Sequence, residues 1–182
     1  FGITDDDIEF EAAVYVDSAD MCYYGKNAHL TEVSFYPMSE QKSWAVAIYT
    51  HAADGSLQLL RLQQVTQPLV YKQRNTVVLD EPLALPASDL IIAIRVKVDR
   101  ASQSVLGMDY GVDGTGYADI ARNLADAGDF YSICQSSNTQ AYSYFTSFLI
   151  NAVVVPEGAD QAKDQLKGYV VSCNGKDVDT LP

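Results

Sequence analysis

The side chains best suited to chemistry in this sequence are oxygen donors. Asp109, Asp113 and Asp119 lie in or beside the glycine-jointed stretch Gly107-Met-Asp-Tyr-Gly-Val-Asp-Gly-Thr-Gly116, and Asp5, Asp6, Asp7 and Glu9 crowd near the first residue. A calcium ion takes about six to eight carboxylate and carbonyl oxygens, and Asp mixed with Gly offers both on a sharply bent backbone. Neither stretch has the D-x-D-x-D-G spacing of an EF-hand. The expectation is a structural calcium held among Asp5, Asp7, Asp109, Asp113 and Asp119. A solvated acidic loop that holds no ion accounts for the same residues.

Other chemistries are poorly served. His29 and His51 are the only histidines, and neither stands in an HExxH or similar ligand spacing. Cys22, Cys134 and Cys173 include no CxxC pair, which argues against zinc and allows one internal disulfide at most. Buried free thiols are the simpler account, with one bridge as the alternative. No GxSxG elbow is present, and Gly114-Thr-Gly116-Tyr-Ala-Asp119 lacks the third glycine of a dinucleotide loop. Two acids meeting across a cleft would suit glycoside hydrolysis, and Asp109 and Asp113 are the pair to test for that alternative.

Charge narrows the partners. The 24 acidic and 12 basic side chains leave a net charge of −12, which repels nucleic-acid backbones and anionic membranes. No apolar run approaches the roughly 20 residues of a membrane helix, so no membrane insertion is expected, and no charged-then-apolar leader is visible. A chain of 182 residues, 48% hydrophobic, suits one main core. Its 12 tyrosines fit half-buried sheet faces or a binding surface.

The elements that would carry these residues are strands. Trp44, Val46 and Ile48 alternate with Ala45, Ala47 and Tyr49, Asp54-Gly55 turns the chain, and Leu57 to Val65 returns as a hairpin partner. Further strands are expected at Ile8 to Val16, His29 to Tyr36, Asn75 to Leu79, Leu90 to Val98 and Asp129 to Gln135. Pro82 should end the third of these, and the second half of Leu90 to Val98 should emerge into water. Ser18 to Cys22 and Asp99 to Gly116 read as loops. Tyr117 to Gly128 fits helix or strand, and FLINAVVV, ending at Val155, reads as a central strand. Short strands with frequent turns and no βα alternation predict an all-β, antiparallel β-sandwich of jelly-roll or immunoglobulin type. The sandwich should occupy residues 1–156, with 157–182 a linker and a C-terminal strand of a possible neighbouring module.

Several motifs in order resemble the cleaved adhesin domain family, the jelly-roll modules of gingipain and haemagglutinin-type secreted bacterial surface proteins. They are Tyr24-Gly25-Lys26, Leu30-Thr-Glu-Val-Ser-Phe-Tyr-Pro37, Gln64-Val65, Asn75-Thr-Val-Val-Leu-Asp-Glu-Pro82, Gly107-Met-Asp-Tyr-Gly111 and Ile150-Asn-Ala-Val153. The similarity covers most of 1–156. Similar modules often carry tryptophan before Asn-Thr-Val and in the strand matching Leu90-Ile-Ile-Ala93. This chain has Arg74 at the first place and Trp44 as its single tryptophan. The resemblance implies a galactose-binding-like sandwich with structural calcium, adhesive and non-catalytic, secreted or on the cell surface, followed by a fibronectin-like module in a larger surface protein. The expected ligand is a glycan or a host surface protein, met by Asp109, Tyr110 and Tyr117 in the loops at one end.

Overall fold

The computed structural model describes residues 6–21, 24–25, 27–100, 104–111, 119–124, 130–132, 145–156, 169–173 and 176–181. Residues 20, 109–111, 119–121, 131–132, 145–147, 169–173 and 176–181 are described by backbone alone. In order, the elements are β1 (Glu9–Val16), α1 (Ser18–Met21), β2 (His29–Phe35), β3 (Ser43–His51), β4 (Leu57–Gln64), β5 (Asn75–Ala84), β6 (Leu90–Lys97) and β7 (Met108–Gly111). They continue with β8 (Asp119–Asn123), β9 (Tyr131–Ser132), β10 (Phe145–Phe148), β11 (Asn151–Val155), β12 (Tyr169–Cys173) and β13 (Lys176–Leu181).

The molecule is an all-β antiparallel sandwich. A six-stranded sheet in the order β4-β3-β6-β1-β8-β9 and a three-stranded sheet in the order β11-β2-β5 enclose the core. The chain passes from one sheet to the other at β1 to β2, β2 to β3, β4 to β5 and β5 to β6, as in a jelly roll. β7 pairs with β10, and β12 pairs with β13 as a separate hairpin. Period-two alternation directs Phe10, Ala12, Val14, Trp44, Val46, Ile48, Ile92, Ile94 and Val96 inward against Leu30, Val33, Phe35, Val77 and Leu79. Trp44 stacks on Phe35 with ring centroids 5.5 Å apart.

Several expectations change on inspection, each for a local reason. The strand expected at His29 to Tyr36 is not evenly alternating, because the register shifts between Leu30 and Glu32 and places Leu30 inside with Val33 and Phe35. The same irregularity lets β5 run through Pro82. Pairing jumps from Val78 opposite Glu32 to Leu83 opposite Leu30, so Pro82 lies where β2 offers no partner, on an edge strand. Ser18 to Met21 is a helical turn because Asp17 caps it, accepting the Ala19 amide at 2.7 Å on Oδ1. The segment Asp99 to Gly116 contains a strand, β7, and residues 119–123 settle as strand in place of helix. FLINAVVV breaks between β10 and β11, and β11 is an edge strand, not a central one.

The facing edges of the two sheets are joined by side chains. Gln63 on β4 donates from Nε2 to the Val78 carbonyl at 2.9 Å and accepts the Asp80 amide on Oε1 at 2.9 Å. Gln67 adds a bond from Nε2 to the Thr76 carbonyl at 2.8 Å. The two amides act as a surrogate strand along β5, covering backbone groups that an open edge would offer to another chain.

Candidate functional site

The outer face of the six-stranded sheet carries a polar network whose placement follows from register. Ala45, Arg95, Glu11 and Arg122 lie side by side across β3, β6, β1 and β8; Ala47, Ala93 and Ala13 form the next row, and Tyr49, Ile91 and Tyr15 the row after. The alanine row is low enough for the Tyr49 ring to lie over it and bring its hydroxyl to the charged row. There Tyr49 donates to Glu11 Oε1 at 2.7 Å, Arg95 Nε donates to the same oxygen at 2.8 Å, and Arg122 Nε donates to Oε2 at 2.6 Å. The Tyr49 oxygen in turn accepts Arg95 Nη2 at 2.9 Å and Arg122 Nη2 at 2.7 Å.

Glu11 is fully buried, while the Arg95 and Arg122 side chains are 20% and 15% exposed. A carboxylate so placed is tolerable only because both oxygens are occupied by charge-assisted donors. Burial raises the Tyr49 phenol above its ordinary pKa, and donation to Glu11 adds to the shift. Burial works against the Arg95 charge, but Glu11 and Tyr49 outweigh it, so the net shift is upward. The Arg122 guanidinium also lies 4.7 Å from the ring centroids of both Tyr49 and Phe130. Four strands and the residue before β9 are thereby tied together.

A second cluster centres on Asp89, just before β6. It accepts the Ser18 amide at 3.3 Å and the Tyr15 hydroxyl, and His51 Nδ1 stands 3.9 Å from Oδ2. Donation to Asp89 is the main cause that pushes the Tyr15 phenol up to about 12, and it holds the Asp89 carboxyl below its usual value. Thr50 Oγ1 donates to the Asp89 carbonyl at 2.7 Å. The cluster fixes α1 and the turn into β6.

The candidate binding residues lie on β7 and at the start of β8. Asp109 and Tyr110 belong to β7, opposite Ser147 and Thr146 of β10; Asp119 opens β8 opposite Val14. These positions are fixed by backbone alone. Asp113, Tyr117 and Asp5 lie outside the described residues, as do Cys22 and Cys134, while Cys173 ends β12. Asp7 is exposed, with a left-handed backbone at φ 60°, and its carboxylate is paired with Lys42. Lys42 holds that carboxyl below its ordinary pKa. Among the described residues no three His, Cys, Asp or Glu side chains converge as a metal site.

The network was missed in the sequence because Arg95 reads as the wet end of its strand and Arg122 fell in a segment fitting helix or strand. Glu11 was the available signal: an acid inside the strand IEFEAAVYV must find partners wherever that strand is covered on both faces.

Between the sheets lies a cavity of about 390 Å³, bounded by Val14, Leu90 and Ile92 on one side and by Leu30, Ala152 and Val154 on the other. No helix among the described residues is long and apolar enough to cross a membrane.

No family model matches the chain, and no curated protein does. Among solved structures, it superposes on the clostridial cysteine protease Cwp84 after propeptide cleavage. The TM-score is 0.55 and the identity 18%, over 86% of this chain and 37% of that one. It also superposes on a structure of the cysteine protease and lectin-like domains of Cwp84, a surface layer associated protein of Clostridium difficile, with TM-score 0.54 and 16% identity over 82% and 32% of the two chains. The chain therefore spans about a third of the length of these structures, and at such identity the shared property is the β-sandwich fold.

Proposed function

We propose that this chain is a non-catalytic binding module of a larger, surface-displayed protein, recognising a glycan or a host surface protein through the loops that follow β6 and β7. The observation that supports the reading is the superposition of 82% of the chain on part of a structure whose two named parts are a cysteine protease and lectin-like domains, in a surface layer associated protein. An all-β sandwich answers to the lectin-like part. Because sandwiches host many functions, the fold sets the class and the loops set the ligand. Tyr110 and Tyr117 supply aromatic platforms there, and Asp109 a hydrogen-bond acceptor. Calcium, in this reading, is a structural ion at Asp109, Asp113 and Asp119, with Asp5 a further donor; Asp7, already paired with Lys42, is the weakest member of the set. Cleaved adhesin membership rests on the order of its motifs.

A glycan array and a pull-down on matrix proteins test the reading. Retention on one of them, lost in Tyr110→Ala and Tyr117→Ala with the fold intact, is expected. Silence in both, or turnover of chromogenic glycosides abolished by Asp109→Asn, overturns it. The ion has its own test: the thermal midpoint should rise in millimolar calcium against a chelator control and stop rising in Asp113→Asn.

A further inference from the structure

We infer that the cavity between the sheets is a binding site for an uncharged hydrocarbon or aryl group. Val14 of β1 and Leu90 and Ile92 of β6 line it from one sheet, and Leu30 of β2 with Ala152 and Val154 of β11 from the other. Protein interiors are packed to crystal-like density, and voids larger than a water molecule are few. A cavity of about 390 Å³ is in the size range of ligand pockets and accommodates roughly a dozen heavy atoms.

Its chemistry selects the occupant. Among the described residues no charged side chain lines it, and the chain as a whole carries a charge of −12, so an anionic group gains nothing by entering and meets a repulsive field on the way. The walls are aliphatic side chains with Met21 and Phe148, surfaces that accept alkyl and aryl groups equally. Among the described residues Asn151 and Tyr24 are its polar ones, and Tyr24, 44% exposed, stands where the cavity meets solvent. A ligand with an apolar body and a small uncharged polar end fits this arrangement, the body between the sheets and the polar end at Tyr24 and Asn151. Met21 lies on α1, which the capping carboxylate of Asp17 and the Asp89 contact to the Ser18 amide hold over this end of the sandwich.

The test uses the 182-residue chain and the uncharged fluorophore 1-naphthylamine. Saturable binding at one site per chain is expected, with displacement by 1-decanol and by 2-naphthol and at least tenfold weaker displacement by decanoate. If only decanol competes, the occupant is an acyl-type chain; if only naphthol competes, it is an aryl group. Either result sustains the site. Ala152→Phe, on the inner face of β11, fills the space and should weaken fluorophore binding at least tenfold without lowering the thermal midpoint. Tyr24→Ala, at the exposed rim, should weaken it about threefold and leave the fold untouched whatever the first variant does. Absence of saturable binding, displacement by decanoate as good as by decanol, or binding unchanged in Tyr24→Ala and in folded Ala152→Phe overturns the inference. None of these outcomes depends on whether the loops bind a glycan.

Discussion

Replacing Glu11 by Gln keeps shape and volume and removes one charge at the centre of the outer-face network. In the native protein Glu11 accepts three hydrogen bonds, from Tyr49, Arg95 and Arg122, and is fully buried. A glutamine presents one oxygen and one NH₂, so whichever way it is turned a donor faces a donor. Two guanidinium groups, each at most 20% exposed, are then left without their counter-ion. Removing one partner of a buried ion pair costs about 3 to 5 kcal/mol, because the remaining charge stays desolvated. For a chain of this length that corresponds to a fall in thermal midpoint of roughly 6 to 20 °C. Tyr49→Phe, which preserves the ring over the alanine row and deletes only the hydroxyl, should cost less, about 1 to 3 kcal/mol. Urea unfolding followed by tryptophan fluorescence reads both, and a cycle with Arg122→Met gives the coupling. The burial also implies little dependence on salt. A loss under about 1 kcal/mol for Glu11→Gln, or one that disappears in high salt, is the behaviour of an exposed surface pair and refutes the reasoning.

Three further perturbations follow from the same geometry. Tyr15 keeps its proton to about pH 12 in the fold against 10.0 in an unfolded chain, so its contribution to stability is complete below about pH 10 and is lost as pH rises from there to 12. Urea midpoints across that range should decline less steeply in Tyr15→Phe, and the Asp89 carboxyl, observed by carbon NMR, should titrate higher in that variant. Gln63→Ala removes both surrogate ladder bonds to β5, at about 1 to 2 kcal/mol, and should increase self-association, measurable by light scattering, as the edge becomes free to pair. Gly107→Ala places a Cβ 2.8 Å from the Tyr36 Cβ at the end of β2, where Gly107 also bonds the Tyr36 carbonyl and the Leu149 amide; about 1 to 3 kcal/mol should be lost in chemical denaturation.

What the sequence reveals is the part of the fold that period-two alternation writes one strand at a time. The inward rows of β3 and β6 are legible because Trp44, Val46, Ile48, Ile92, Ile94 and Val96 are large and apolar, and the turn before β4 is legible because Gly55 adopts φ 82°. The outward row is harder to read. Ala13, Ala47 and Ala93 look like neutral strand residues until register brings them together as the floor under Tyr49. Arg95 is a surface residue on its own strand and a buried partner once Glu11 and Arg122 arrive from sequence positions 84 and 27 residues away. Bulges and edge pairing, which rescued Pro82, are likewise properties of two strands and not of one.

The network bears on binding through the strand it anchors. β7 ends at Gly111 opposite Phe145 and β8 begins at Asp119 opposite Val14, so the candidate residues Asp113 and Tyr117 fall in a link of seven residues, 112–118, between two paired ends. Recognition by a surface loop loses less conformational entropy when its ends are held, and Arg122, on the strand that begins at one of them, is clamped by Glu11 below and by the Tyr49 and Phe130 rings beside it. Loosening that end should weaken ligand binding without removing a ligand contact. Arg122→Lys keeps the charge and gives up the planar fork and its stacking, so the loss of affinity should arise from slower association or looser ordering of the link. It should therefore be accompanied by faster amide exchange along β8. A loss of affinity with exchange along β8 unchanged would instead assign Arg122 a direct contact with the ligand.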